Sequence, residues 1–152
     1  LRSLVGSEMC IRDRIKDDKH YVQIETNGTL PTNAHPTVWA KNTQARAGVY
    51  IVCSPKTGKV HPTVAAAACC YKYVLTAGDI AEDDGLPLHA LGHVANPRLA
   101  RPPVGFSVAV YVQPADMKDE YLNQENMDAA IKSAMGFGYT IQLQIHKYLN
   151  ME

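Results

Sequence analysis

Long hydrophobic runs are missing from this chain, and with them any segment near the roughly 20 apolar residues that a membrane-spanning helix needs. Excess charge is missing too. Fifteen basic residues balance fifteen acidic ones, so nothing electrostatic points to DNA, RNA or an anionic membrane surface. Cysteine is scarce: Cys10, Cys53, Cys69 and Cys70 are the four, none in a CxxC pair and two of them adjacent. That spacing supplies neither a zinc site nor a disulfide framework. It points instead to reduced thiols in a cytoplasmic protein. No internal repeat or low-complexity tract stands out. What remains is ordinary for a globular domain: 152 residues, 46% hydrophobic and 20% charged, enough for one real core.

The opening "LRSLVGSEMCIRDR" fits no helical or strand period and carries no helix cap. Its part Leu4–Arg14 resembles a translated sequencing-library adapter. Residues 1–14, Cys10 among them, are therefore set apart from the fold, and residues 15–152 are read as the native part. The natural N-terminus is then missing and the chain is a C-terminal fragment. The plain alternative is a genuine disordered arm.

Five strands are expected from apolar periodicity: Tyr21–Thr26, Val49–Ser54, Cys70–Thr76, Phe106–Gln113 and Tyr139–Lys147. Between the last two, "NQENMDAAIKSAMGFG" predicts a helix with Asn123 as N-cap, an end at Gly136 or Gly138, and Met127, Ala130, Ile131 and Ala134 on its apolar face. Strand, helix, strand makes a parallel pair. "HPTVAAAA" predicts a short helix after Pro62, and the stretch from Ile80 to Gly105 an ordered loop rich in proline, glycine and acid. The strands carry polar groups near their C-terminal ends, where (β/α) barrels collect functional residues. A whole barrel takes about 250 residues; the 138 from Ile15 onward supply only part of one.

Candidate site residues follow from those strand ends. Glu25, ahead of the tight Asn27-Gly28 turn, could accept hydrogen bonds from the vicinal hydroxyls of a ribose, or be a solvated turn residue. Ser54, Pro55 and Lys56 form a strand-end turn suited to a carboxylate or phosphate, or an ordinary exposed turn. Gln113, followed by Pro114, Ala115 and Asp116, offers a donor and an acceptor for an adenine edge, or a polar strand terminus. His146 lies on the polar side of "IQLQIHK" as a hydrogen-bond partner or proton shuttle, or as a structural histidine. His89 and His93 are four apart, yet glycine and proline around them oppose a helix and no third ligand is near.

In order, "QIETNGT", "SPK", "KYV", "YVQP" and a terminal "QIHKYLN" resemble the C-terminal part of the 7-carboxy-7-deazaguanine synthase family of radical S-adenosylmethionine enzymes. The loop "EDDGLPLHALG…ARPP" resembles a version found in some members. The resemblance covers nearly all of Ile15–Glu152. It implies an α/β fold, the C-terminal part of a contracted, partial (β/α) barrel of the radical S-adenosylmethionine type with a mostly parallel sheet. The reaction implied is ring contraction of 6-carboxy-5,6,7,8-tetrahydropterin with loss of ammonia, in queuosine and 7-deazapurine biosynthesis. S-adenosylmethionine, a 4Fe–4S cluster and Mg2+ are the cofactors implied, and a homodimer the assembly.

Carried onto this chain, the resemblance implies that Glu25 binds the ribose of S-adenosylmethionine. Ser54, Pro55 and Lys56 would line the same cofactor, and Gln113, Pro114, Ala115 and Asp116 would contact its adenosyl part. His146 would face the pterin, and Glu152 would reach it through the terminal α-carboxylate. The family's cluster-binding cysteine motif, the threonine for magnesium and a glycine-rich motif are absent from the sequence, and Cys53, Cys69 and Cys70 do not match three cluster ligands. No catalytic residue and no metal ligand is therefore assigned, and the chain as given is expected to be inactive. A non-catalytic α/β module that binds a nucleoside or S-adenosylmethionine is the competing reading.

Overall fold

The computed structural model describes residues 21–32, 48–92, 97–105, 107 and 109–145. Five strands run in the order β1 (Tyr21–Thr26), β2 (Gly48–Cys53), β3 (Cys70–Leu75), β4 (Val110–Pro114) and β5 (Thr140–Ile141). They form one sheet in sequence order, with every neighbouring pair parallel. Parallel neighbours need crossovers. Helix α1 (Pro62–Ala67) links β2 to β3, and α2 (Glu120–Phe137) links β4 to β5. An all-parallel α/β sheet in sequence order is what a section of a (β/α) barrel contains, so the expected fold class is met.

The period-two pattern of β3 divides the sheet into two faces. Tyr71, Tyr73 and Leu75 are buried, while Cys70, Lys72 and Val74 are half-buried. Ile51, Cys53 and Val112 share the first face and join one core with Val64 and Ala67 of α1 and Ala130 and Ala134 of α2. α1 begins where Pro62 fixes φ without losing a needed N–H, and the His61 ring accepts from the Thr63 N–H.

α2 departs from expectation at its start and on its inner face. Its N-cap is Asp119, whose Oδ1 accepts from the Leu122 N–H at 3.0 Å. Asn123 instead lies inside the helix, and its Oδ1 takes the Met117 N–H at 2.8 Å. Both residue types cap well; the chain reverses at Lys118, with φ at 56°, and that places Asp119 at the entry. The buried stripe is Asn126, Ala130, Ser133 and Ala134, not the more apolar one, and Ile131 stays 40% exposed. Asn126 and Ser133 are inside because each is satisfied. Asn126 accepts from the Ala77 N–H at 2.7 Å and donates to the Ala115 carbonyl at 3.0 Å, and Ser133 donates to the Gly85 carbonyl. The helix ends at Gly138, in the left-handed region at φ 74°.

The last strand is far shorter than Tyr139–Lys147. Ladder pairing covers Thr140 and Ile141, and the Gln142 N–H still reaches the Val112 carbonyl at 2.9 Å. Beyond it Leu143 and Ile145 are exposed, so the alternation does not sort an apolar face. β4 explains this. Val112 presents its polar backbone groups to β5; by alternation Pro114 would present the next N–H, and proline has none. β4 also starts later than Phe106. Ser107 and Ala109 are exposed outside the strand, and Phe106 and Val108 lie outside the described residues. β2 and β3 each stop one residue before the expected Ser54 and Thr76.

The stretch from Ile80 to Gly105 is an ordered loop over its described part. Arg101 donates through Nε to Asp84 at 2.6 Å and through Nη1 to the Pro87 carbonyl at 2.8 Å, and Arg98 binds Asp83 and Asp84. Burial alone would raise the Asp84 pKa; hydrogen bonds from Arg101, the Leu86 N–H and Arg98 outweigh it and hold the carboxyl below its ordinary value. At the other end of the sheet, β1 runs into a turn at Gly28, with φ 76°. A Cβ there would sit 2.9 Å from Val60 Cγ1 and 3.1 Å from Cys53 Sγ.

Two outcomes are expected. Asp84→Asn lowers unfolding stability at neutral pH by roughly 1–3 kcal/mol, read by urea unfolding. Because the folded pKa is depressed, the contribution is complete above the ordinary carboxyl value and is lost as pH falls through the folded one. The gap between wild type and variant therefore narrows as the pH falls below the ordinary carboxyl range, and a constant gap would show that the carboxylate charge is not what Arg101 holds. Gly28→Ala carries both a left-handed φ and a contact that must shift, so the folded state loses roughly 1–3 kcal/mol and its thermal midpoint falls; an unchanged midpoint would show that the turn relaxes freely.

Candidate functional site

The second face of the sheet is the polar one. Register places Glu25 level with Val52, and Val52 level with Cys70; Lys72 is level with Tyr111, and Val74 with Gln113. With side chains alternating along each strand, Gln23, Glu25, Tyr50, Cys70, Lys72, Tyr111 and Gln113 share this face. Among the described residues, α1 and α2 both contribute to the core on the opposite side.

Glu25 is held from two strands away. Lys72 Nζ donates to Glu25 Oε1 at 2.7 Å and Oε2 at 2.9 Å, crossing over β2, and Gln23 Nε2 donates to Oε1 at 3.2 Å. The carboxylate side chain is 48% exposed and the lysine 17%, so an oriented carboxylate looks out from a largely covered ammonium. "KYV" carried no expected role for Lys72. Its signal was the alternation, which sets a cation between two tyrosines on the face opposite theirs.

Ser54 follows β2 at once. Its N–H reaches the Thr26 carbonyl at 2.7 Å, which ties the ends of β1 and β2 together. Its Oγ is buried with no hydrogen-bond partner among the described residues. An orphaned hydroxyl of this kind is uncommon and asks for a partner. Pro55 is buried and Lys56 exposed. The ordered loop closes on the next turn, where the Ala100 N–H binds the Thr57 carbonyl at 2.9 Å.

At the end of β4, Gln113 and Ala115 are buried, and Asp116 is exposed, its Oδ1 accepting from the Lys118 N–H at 2.9 Å and Asn123 Nδ2 at 3.2 Å. A cleft of about 410 Å³ opens here, lined by Pro114, Ala115, Asp116, Asn123, Met127 and Gln144 among others. Glu25 and Ser54 do not line it. From β1 to β4 is three inter-strand spacings, roughly 14 Å. An elongated ligand lying across the strand ends could meet both groups; a small one could not.

Cys53, Cys69 and Cys70 lie near one another at the end of β2 and the start of β3, but among the described residues they form no metal-holding group. Cys53 is buried in the core, its thiol pushed up to about 11 by burial and by Cys70, with Tyr71 opposing. Cys70 is also raised, first by burial and then by Cys69. Thiols held in the neutral form are poor ligands. Among the described residues no group of three or more His, Cys, Asp or Glu side chains could hold a metal ion, and no helix is long and apolar enough to cross a membrane. His89 is occupied: its Nδ1 lies 2.7 Å from Asp79 Oδ1. His93, His146, Glu152 and residues 1–14 lie outside the described residues.

No family model and no solved structure matches the chain. Two curated proteins do. The 7-carboxy-7-deazaguanine synthase of Rhodospirillum rubrum is 38% identical over 136 residues, covering 86% of this chain and 53% of that protein. The 7-carboxy-7-deazaguanine synthase of Rickettsia prowazekii is 31% identical over 147 residues, covering 91% of this chain and 51% of that protein. The chain thus spans about half the length of the curated relatives it matches. It is similar to about half of a 7-carboxy-7-deazaguanine synthase, as its ordered motifs led one to expect.

Proposed function

We propose that this chain is the cofactor-binding C-terminal part, over residues 15–152, of a 7-carboxy-7-deazaguanine synthase. The parent would be a carbon–nitrogen lyase that contracts the ring of 6-carboxy-5,6,7,8-tetrahydropterin in queuosine and other 7-deazapurine biosynthesis. It would act in the cytoplasm, as a homodimer. The observation that carries the reading is the common placement of "QIE", "SPK" and "QPAD": three segments distant in sequence that end β1, β2 and β4 on one side of one sheet.

The residues present suit S-adenosylmethionine. Ser54 Oγ lacks a partner among the described residues and Glu25 offers a half-exposed carboxylate. A cleft borders Pro114–Asp116. When bound, this cofactor would supply the hydrogen-abstracting radical of such enzymes. Glu25 would hold the ribose hydroxyls, Ser54 Oγ would gain its missing hydrogen bond, and Lys56 would face the methionine carboxylate. Gln113 would read the adenine edge beside Pro114 and Ala115. His146 and Glu152 would complete the pterin side. The described residues do not suit a 4Fe–4S cluster or Mg2+, and no step is drawn through either; both would belong to the other part of the parent.

Calorimetric titration of S-adenosylmethionine into the full-length protein should show binding that Glu25→Gln and Gln113→Ala each weaken roughly tenfold, measured well below the thermal midpoint of each variant. Wild-type affinity in both variants would remove these residues from the cofactor site. The 152-residue chain alone, reconstituted anaerobically with iron and sulfide, should take up no stoichiometric cluster and turn over no pterin. The broad visible absorbance of one thiolate-bound cluster per chain would refute that. A natural start codon near Ile15 in the genome would instead favour the non-catalytic module.

A further inference from the structure

We propose that Lys72 is a positioning residue of the cofactor site, holding the Glu25 carboxylate in the orientation that a ribose cis-diol requires. The inference rests on the reading of Glu25 as the ribose-binding group. Glu25 stands on β1, where the strand beside it places only Val52 at its level on the same face. An exposed carboxylate there would turn freely and lose rotamer entropy on meeting a ligand. Lys72, from β3, engages both oxygens at 2.7 and 2.9 Å, while its own side chain is 17% exposed and so confined by its surroundings.

The acceptor count supports the same assignment. A carboxylate has about four lone-pair sites. Lys72 takes two and Gln23 one, which leaves one open, and two vicinal hydroxyls need two. The Gln23 contact is the longest, at 3.2 Å, and it is the neutral one. Its release leaves two sites for the diol with Lys72 still in place. Lys72 thus stays as the clamp, and Gln23 is the group displaced.

The test is a comparison of two ligands on four forms of the full-length protein. Wild type, Lys72→Met, Glu25→Gln and the double variant are titrated with S-adenosylmethionine and with its 2′-deoxyadenosyl analogue. Lys72→Met should weaken S-adenosylmethionine roughly five- to tenfold and the deoxy analogue less than about twofold. In the Glu25→Gln background the lysine change should add nothing beyond about twofold. A merely structural lysine would weaken both ligands equally, and that result overturns the proposal, as does wild-type affinity in Lys72→Met. Should Glu25→Gln leave S-adenosylmethionine binding intact, the ribose reading itself falls and the clamp with it. If Lys72→Met does not fold, Lys72→Gln carries the same comparison.

Discussion

β3 sits in the middle of the sheet, and its two faces must satisfy opposite demands within six residues. One face is apolar enough to bind α1 and α2; the other must carry a cation that is mostly covered. Tyr71 and Tyr73 meet the first demand with stacked rings, centroids 6.3 Å apart. Burial pushes the Tyr71 hydroxyl up to about 12 and the Tyr73 hydroxyl far above its ordinary value, so both stay protonated. Tyr73 spends its proton on the Ala100 carbonyl at 2.7 Å. The core face of the sheet therefore also holds the long loop. Lys72 is constrained by the same strand: with Tyr71 and Tyr73 packed, it cannot turn inward, and its ammonium must seek Glu25.

The loop and α2 are fixed by polar anchors more than by apolar area. Asn126, Ser133 and Arg101 each bind backbone groups that would otherwise be buried without partners. Arg101 alone donates to the carbonyls of Pro87, Leu99 and Leu86, at 2.8, 3.3 and 3.3 Å. The asymmetry of hydrogen-bond energetics explains why these residues matter. A made bond contributes about 1 kcal/mol net, whereas an unmade buried one costs about 1–3 kcal/mol. Such anchors specify one arrangement of a loop that is poor in regular structure, and that arrangement covers the turn after Ser54.

β1, β2 and β3 were legible in the sequence to within a residue, but burial follows alternation in β3 and not in its neighbours: Gln23, Ile24 and Glu25 of β1 are all exposed, and Ile51, Val52 and Cys53 of β2 are all buried. The helix between β4 and β5 was legible as a helix, but its buried stripe was not. Asn126 and Ser133 enter the core through partners at Ala77, Ala115 and Gly85, and no window of helical periodicity contains those contacts. β5 misled for a related reason: "IQLQI" alternates, yet a strand needs a neighbour with N–H groups to offer, and Pro114 withholds one. Glu25, Ser54 and Gln113 could be singled out by their places at strand ends. Lys72 could not, since its partner lies 47 residues away and only the register of β1, β2 and β3 brings them together.

Pro114 links the fold to the site. The missing N–H that releases the chain after Gln142 also lets Leu143 and Gln144 leave the sheet plane. These two residues, with Pro114, Ala115 and Asp116, are walls of the cleft. Had β5 continued in register, its next residues would have paired with β4 and occupied the space beside the Gln113 end. One imino acid thus shortens a strand and opens room at the C-terminal edge of the sheet, where a parallel architecture already gathers its polar strand ends. Glu25 and Ser54, at the ends of β1 and β2, do not line this cleft, whose far wall is the first two turns of α2.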